Sequence, residues 1–331
     1  MQSGRAPNNS PHPPRGTRLR SIDQFRGLSV ALMTVANYFG GVSGVPNWLK
    51  HAPDVGLTPV DLVAPLFIFA IGLTYGLSAR RRLAYYGRAA VYGRFVRRYL
   101  SILGIGAVIT GAQDALGTPL GRYGWGVLQA IGMAGLLALP TLFWTAAGKL
   151  LAGCGLLMVY EFLLERFWVT RVLALSHGGL PGALGWTAML ILAMGLADLF
   201  HQGPAGKRRL AAGVTGCAAL GLLLSLFAPL SKNRVSAPYV LISVAVSGAL
   251  FLFFEVVLSR WRLPLLVAWG QNPMLLYVLH LAMLGIFVLP QDLGWYAMAG
   301  WPLIWLHLVI LIGGISLVAW YLYRKDWTFA L

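Results

Sequence analysis

Three consecutive segments decide the fold: SIDQFRGLSVALMTVANYFGG (21–41), a polar connection ending in KHAPDVGLTPVDL (50–62), and VAPLFIFAIGLTYGLS (63–78). Two apolar runs, each close to the length that crosses a hydrocarbon core as a helix, flank a loop with one histidine. Polar residues sit at their margins. Asp23 and Arg26 open the first run, Asn37 closes it, His51 occupies the loop and Asp61 begins the second. Charge at a membrane boundary is costly and is usually kept for function.

The same pattern repeats outward from this stretch. Of 331 residues, 58% are hydrophobic and only 11% charged, and mean hydropathy is +0.70. Soluble domains carry about 25% charged residues, so this chain cannot clothe itself for water. Apolar runs of helical length recur, and the alternating segments of a β-barrel do not. The fold class is an all-α polytopic membrane protein, with about ten transmembrane helices near 22–42, 58–78, 99–116, 125–146, 150–165, 183–203, 210–229, 238–258, 264–289 and 301–323. The fifth is the weakest, because Glu161 and Glu165 lie in its last turns. Residues 1–17 (MQSGRAPNNSPHPPRGT) read as a disordered tail without a signal peptide, and 18–331 as one transmembrane domain. Cys154 and Cys217 lie within apolar runs and read as packed thiols.

The formal net charge is +16. A basic surface attracts nucleic acid, but basic residues also accumulate in cytoplasmic loops and set orientation. With the N-terminus inside, twenty Lys and Arg fall on the inner side and six on the outer. Both termini are therefore expected to be cytoplasmic, the partner is the lipid bilayer, and no nucleic acid is called for. Seven of the inner arginines lie in 79–98, read as a loop.

Topology sorts the chemistry-bearing residues. Asn37, His51, Asp61, Lys232, Asn233 and His280 face outward; Arg20, Asp23, Arg26 and the arginines from Arg80 onward face inward. An imidazole titrates near neutral pH and can take and return a proton, which makes His51 the leading catalytic candidate. Asp61 could orient its ring, or could merely satisfy free N–H groups at a helix start with Thr58 and Pro59. Asn37 could donate to an acyl oxygen, or end a helix beside Gly40 and Gly41. Arg80, Arg81 and Arg82 could grip phosphates, or form a solvated positive loop; Asp23 and Arg26 could be an i,i+3 ion pair. His177 reads as a residue of a glycine-rich loop, and His307 as a hydrogen-bonded core residue. Asp198 and Glu255 are assigned structural roles beside basic neighbours. No motif calls for a metal, a dinucleotide or a serine nucleophile.

Taken in order, SIDQFRG (21–27), NYFGG (37–41), KHA (50–52) with GLTPVDLVAPLFIFAIG (56–72), GVLQ (126–129), KNRVSAPYV (232–240), GQNPMLLYVLH (270–280) and YRK (323–325) resemble the heparan-α-glucosaminide N-acetyltransferase family of transmembrane acyltransferases. The resemblance is strongest in the first third and looser from about 140 to 225. It implies an enzyme that takes acetyl from cytosolic acetyl-CoA and passes it to an amine, typically of a glucosamine unit, across the membrane. It makes His51 the key catalytic residue with Asn37 beside it. Arg20, Arg26 and Arg80–Arg82 become contacts for the acetyl-CoA phosphates; Lys232, Asn233, Asn272 and His280 become contacts for a sugar or amino-sugar acceptor. A bacterial inner membrane, a homodimer and a short form without an extra luminal domain are further expectations. The chain departs from the family pattern at Pro53–Val55 and at GGLPGALGW (178–186), which lacks acidic residues; both changes fall on the acceptor side. A permease for a small polar or sugar-like solute is the alternative, because polar residues in spans also mark solute paths.

Overall fold

The computed structural model describes residues 19–116, 124–290, 292 and 294–329; the expected tail at 1–17 lies outside them. Every regular element among the described residues is helical. The order is α1 (Arg20–Phe39), α2 (Val63–Ala115), α3 (Val127–Leu137), α4 (Ala146–Leu163) running through a wide turn into α5 (Val169–Leu173), α6 (Gly179–Phe200), α7 (Gly206–Leu224), α8 (Ala237–Val256), α9 (Pro264–Gln271), α10 (Pro273–Val288) and α11 (Trp301–Arg324). Five helical stretches are long and apolar enough to cross a membrane, or six if the bent pair α9–α10 counts as one. Large apolar side chains such as Leu151, Phe162, Leu222, Phe227, Val309 and Leu317 stay exposed, a surface suited to lipid.

Helices stand where spans were expected, with three corrections. The stretch 79–98 is not a loop: α2 is helical on both sides of Gly87, where φ is 73° and ψ 170°. Glycine reaches that backbone region without a Cβ clash. The chain reverses there, because Tyr75 stacks on Tyr99 with ring centroids 5.4 Å apart, whereas 24 residues of straight helix span about 36 Å. The expected 125–146 span is a short helix ending at Leu137, followed by a tight turn at Leu139–Thr141. The 264–289 span is broken, its two halves meeting at 90°. Pro273 has no N–H and disfavours helical geometry at Asn272, whose φ and ψ are −124° and 52°.

The core is aromatic and close-packed. Phe25 of α1 meets Phe69 of α2 and Phe251 and Phe254 of α8 edge-on, at 5.8–6.2 Å between centroids, an arrangement that aligns ring edges with ring faces. α6 is buried along most of its length. α1 and α9 approach until Gly27 lies against the Leu266 carbonyl and Gly270 against the Asp23 carbonyl, leaving no room for a Cβ on either glycine. His307 is buried, with Nδ1 2.9 Å from the Tyr38 hydroxyl, as expected of a core histidine. Asp198 accepts from Lys149 at 2.6 Å and Arg80 at 2.9 Å, and Lys207 lies 3.1 Å from Glu255. Both cysteines are free, Cys217 buried and Cys154 partly so.

Candidate active site

The loop after α1 is built around a buried carboxylate. Pro59 starts a helical turn, Pro59–Leu62, that runs into α2 and places Asp61 in its first turn. Asp61 has no solvent exposure. Its Oδ2 accepts the backbone N–H of Thr58 at 3.0 Å and of Ala52 at 3.2 Å, with the Thr58 hydroxyl also 3.0 Å away. Its Oδ1 lies 2.8 Å from His51 Nδ1. The capping and the orienting readings of Asp61 are therefore both satisfied, one by each oxygen. With Oδ1 ionised, His51 must carry its proton on Nδ1, and Nε2 keeps the basic lone pair.

His51 lines a cavity of about 160 Å³, together with Asn37, Thr110, Gln129, His177 and Lys232. The ring is 43% exposed. Burial around the site and the Lys232 charge lower its pKa below the ordinary 6.5, and together they outweigh the contribution of Asp61. The ring is thus a neutral base at physiological pH. Asn37 Nδ2 is 2.8 Å from His280 Nε2; with the amide donating, the imidazole accepts, and one amide proton remains for the cavity. His280 is fully buried and holds Asn37 in place.

Lys232 arrives on a loop clamped to the one carrying His51. Asp54 takes three hydrogen bonds from Arg234, Nε to Oδ1 at 3.0 Å and to Oδ2 at 3.2 Å and Nη2 to Oδ2 at 2.6 Å, and one from Ser231 at 2.8 Å. Asn233 donates to the Pro53 carbonyl at 2.5 Å. The Arg234 guanidinium holds the Asp54 carboxyl below the usual carboxylate range. Pro53 and Asp54 are therefore the anchor of the Lys232 loop. Asn233 serves that clamp and does not line the cavity.

A second cavity, of about 240 Å³, lies toward the start of α1. Arg26, Arg82 and Arg98 supply its charge; Phe67, Tyr75, Phe95 and Ile131 supply apolar wall. Leu128 lines both cavities. Arg26 bonds Asp23 at 3.2 Å and the Gly270 carbonyl at 3.1 Å. The other expected phosphate contacts separate: Arg80 is paired with Asp198, and neither Arg20, Arg80 nor Arg81 lines this cavity. Asn272 is also placed differently from the expectation. It stands at the α9–α10 break, donating to the Trp327 carbonyl at 2.9 Å and accepting from Phe329 N at 2.7 Å. Phe329 and Thr328 line the second cavity, so Asn272 holds the C-terminal segment there, remote from the His51 cavity.

Two residues escaped the sequence reading. Arg98 reaches the cavity because the Gly87 reversal folds it back beside the first half of α2; forty glycines hid which one turned the chain. His177 takes a left-handed backbone, φ 55° and ψ 24°, which non-glycine residues seldom adopt. The two following glycines, both with positive φ, were the available signal. Among the described residues no group of three His, Cys, Asp or Glu side chains is placed to hold a metal.

Comparison with known proteins adds the family. Residues 18–209 match the model of "Heparan-alpha-glucosaminide N-acetyltransferase, catalytic". Two curated relatives, the heparan-alpha-glucosaminide N-acetyltransferases of Mus musculus and Homo sapiens, are each 37% identical over 124 residues. That stretch is 35% of this chain and 18% of each relative.

Proposed function

The chain belongs to the heparan-alpha-glucosaminide N-acetyltransferase catalytic family, and from that premise we propose that it is a membrane acyltransferase moving acetyl from cytosolic acetyl-CoA to an amine or hydroxyl of a sugar-type acceptor across the bilayer. One observation carries the reading. A histidine oriented by a buried carboxylate opens on a cavity that shares a wall, Leu128, with an arginine-lined second cavity.

In this reading ten segments span the membrane, both termini are cytoplasmic, and the membrane is a bacterial inner one. The phosphates of acetyl-CoA sit against Arg26, Arg82 and Arg98 through forked, charge-assisted hydrogen bonds. The pantetheine arm runs along the apolar wall and past Leu128, bringing the thioester to Asn37 and His51. The free amide proton of Asn37 stabilises the carbonyl oxygen as it becomes negative. In direct transfer, His51 Nε2 takes the proton of the acceptor as its nitrogen or oxygen bonds to the acetyl carbon. The C–S bond breaks, and the thiolate of CoA leaves and is protonated. In a two-step transfer the same Nε2 bonds the acetyl carbon first, and trapping an acetyl-histidine separates the two routes.

The test uses the full chain in detergent with labelled acetyl-CoA and a panel of sugars and amino sugars. Label should reach an acceptor with the parent protein and not with His51→Ala. Equal transfer by the two proteins removes His51 from the reaction, and sugar flux into vesicles without CoA supports a permease instead.

A further inference from the structure

A third hollow is lined by residues of α4, of the end of α7 and of the start of α8. It is an open groove of about 470 Å³. Its walls are apolar and face outward: Met158, Phe162 and Phe227 are each more than half exposed. Three charged side chains interrupt this wall. Glu161 stands in the last turn of α4, and Glu165 and Arg166 follow on the wide turn Leu164–Trp168. Charge set into a lipid-suited surface is costly and marks a site with a task.

One carboxylate oxygen there lacks a donor. Glu161 Oε2 accepts the N–H of Ala237 at 2.7 Å, at the start of α8. Its Oε1 is buried and has no hydrogen-bond partner among the described residues, a costly state for a carboxylate. Glu165 brings a second carboxylate to the same groove. Arg234 Nη1 is 3.8 Å from Glu165 Oε1, but that guanidinium is already committed to Asp54. Among the lining residues only Arg166 is basic. The groove therefore presents two carboxylates, one of them missing a donor, against one guanidinium.

We propose that this groove binds a phospholipid with a primary-amine headgroup, its ammonium between Glu161 and Glu165, its phosphate against Arg166 and its acyl chains along α4 and α7. The ammonium supplies the N–H that Oε1 lacks and favours the ionised carboxylate. A trimethylated headgroup has no N–H to give, and a headgroup without an amine brings only negative charge to the two carboxylates. The apolar wall also has the reach of a lipid. Residues 150–160 of α4 carry no charge, and Leu151 near their far end is exposed. From Glu161 back to Leu151 is about 15 Å of helix, half of a hydrocarbon core about 30 Å thick, which is the depth of one leaflet. The site makes no use of the transferase reading and stands or falls without it.

The experiment titrates the full chain in detergent with dioleoyl phosphatidylethanolamine, phosphatidylcholine and phosphatidylglycerol, and with glycerophosphoethanolamine, the same head without chains, and reads bound species by native mass spectrometry. Phosphatidylethanolamine should bind about tenfold or more tighter than the other two lipids and than the chainless head. Glu161→Gln keeps the Ala237 contact through its amide oxygen, and both it and Glu165→Gln should cut the preference over phosphatidylcholine to about threefold or less. Arg166→Gln should weaken phosphatidylethanolamine and phosphatidylcholine together, because both carry the phosphate. Glu165 is about half exposed, so Glu165→Gln decides the matter where Glu161→Gln does not fold. Equal binding of the three lipids would mean surrounding lipid only and overturns the proposal. So does tighter binding of phosphatidylglycerol, a preference that survives either glutamate substitution, or a chainless head that binds as tightly as the lipid.

Discussion

Replacing Asp61 by Asn separates an orienting carboxylate from a helix cap. The two side chains have nearly the same shape, so the result depends on where the amide nitrogen goes. Oδ2 faces two backbone N–H donors, Ala52 and Thr58, and an amide nitrogen there would meet both head-on. The carbonyl oxygen must therefore take the Oδ2 position, and the NH₂ group must take that of Oδ1, 2.8 Å from His51 Nδ1. Nδ1 then has to accept, the proton moves to Nε2, and the nitrogen facing the reaction is no longer a base. A tautomer inversion of this kind in the serine-protease triad costs about 10⁴ in kcat, about 5.5 kcal/mol of barrier. The assay is single-turnover transfer of labelled acetyl to any acceptor the parent uses, with thermal unfolding followed in parallel. Asp61→Asn should lose roughly three to four orders of magnitude while melting near the parent. Asp61→Ala, which frees the ring to choose its tautomer, should be no slower. Were Asp61 only a cap, the order would reverse: Asn, itself a good cap, would stay within about threefold of the parent, and Ala would suffer. That reversed order would refute the reasoning.

Other parts of the site give their own outcomes. His51 must be neutral to act and its pKa lies below 6.5, so the rate should stay flat through neutral pH and fall only on acidification below that value, as a pH–rate profile of kcat/KM will read. Arg82→Gln or Arg98→Gln should raise KM for acetyl-CoA by about tenfold or more, the worth of a charged hydrogen bond, with kcat little changed in steady-state kinetics. Leu128→Trp should close the wall shared by the two cavities; CoA should still bind by calorimetry while transfer is lost. Asp54→Asn removes the clamp on the Lys232 loop, a partly exposed ion pair worth about 1 kcal/mol. It should weaken the acceptor KM about fivefold and leave that of acetyl-CoA alone.

Much of this was legible in the chain, and the reasons for the misses are physical. Apolar runs announce helices because a backbone in lipid must satisfy its own hydrogen bonds, and helices stand at the expected places. His51 and Asp61 were readable as neighbours since one short loop and a Thr-Pro helix start separate them. What pattern cannot carry is the way a helix turns back on itself. The reversal at Gly87 depends on one backbone angle, and it alone decides that Arg98 joins the second cavity. Arg80 is committed to Asp198, 118 residues on in sequence, whose carboxylate also accepts from Lys149. Asn272 and His280 share one motif, yet the 90° break separates their partners: Asn272 holds Trp327 and Phe329, and His280 holds Asn37. His177 read as a residue of a glycine-rich loop, and the fold brings it to the wall of the His51 cavity.

The most direct test of the account is a structure of the full chain with a non-transferable acetyl-CoA analogue in which the thioester sulfur is replaced by methylene. The expected result places the phosphates against Arg26, Arg82 and Arg98, the arm beside Leu128, and the acetyl carbonyl within about 3–3.5 Å of Asn37 or His51, the separation of a near-attack arrangement. An analogue bound with its acetyl end away from His51, or with its phosphates outside the arginine-lined cavity, would contradict the central claim.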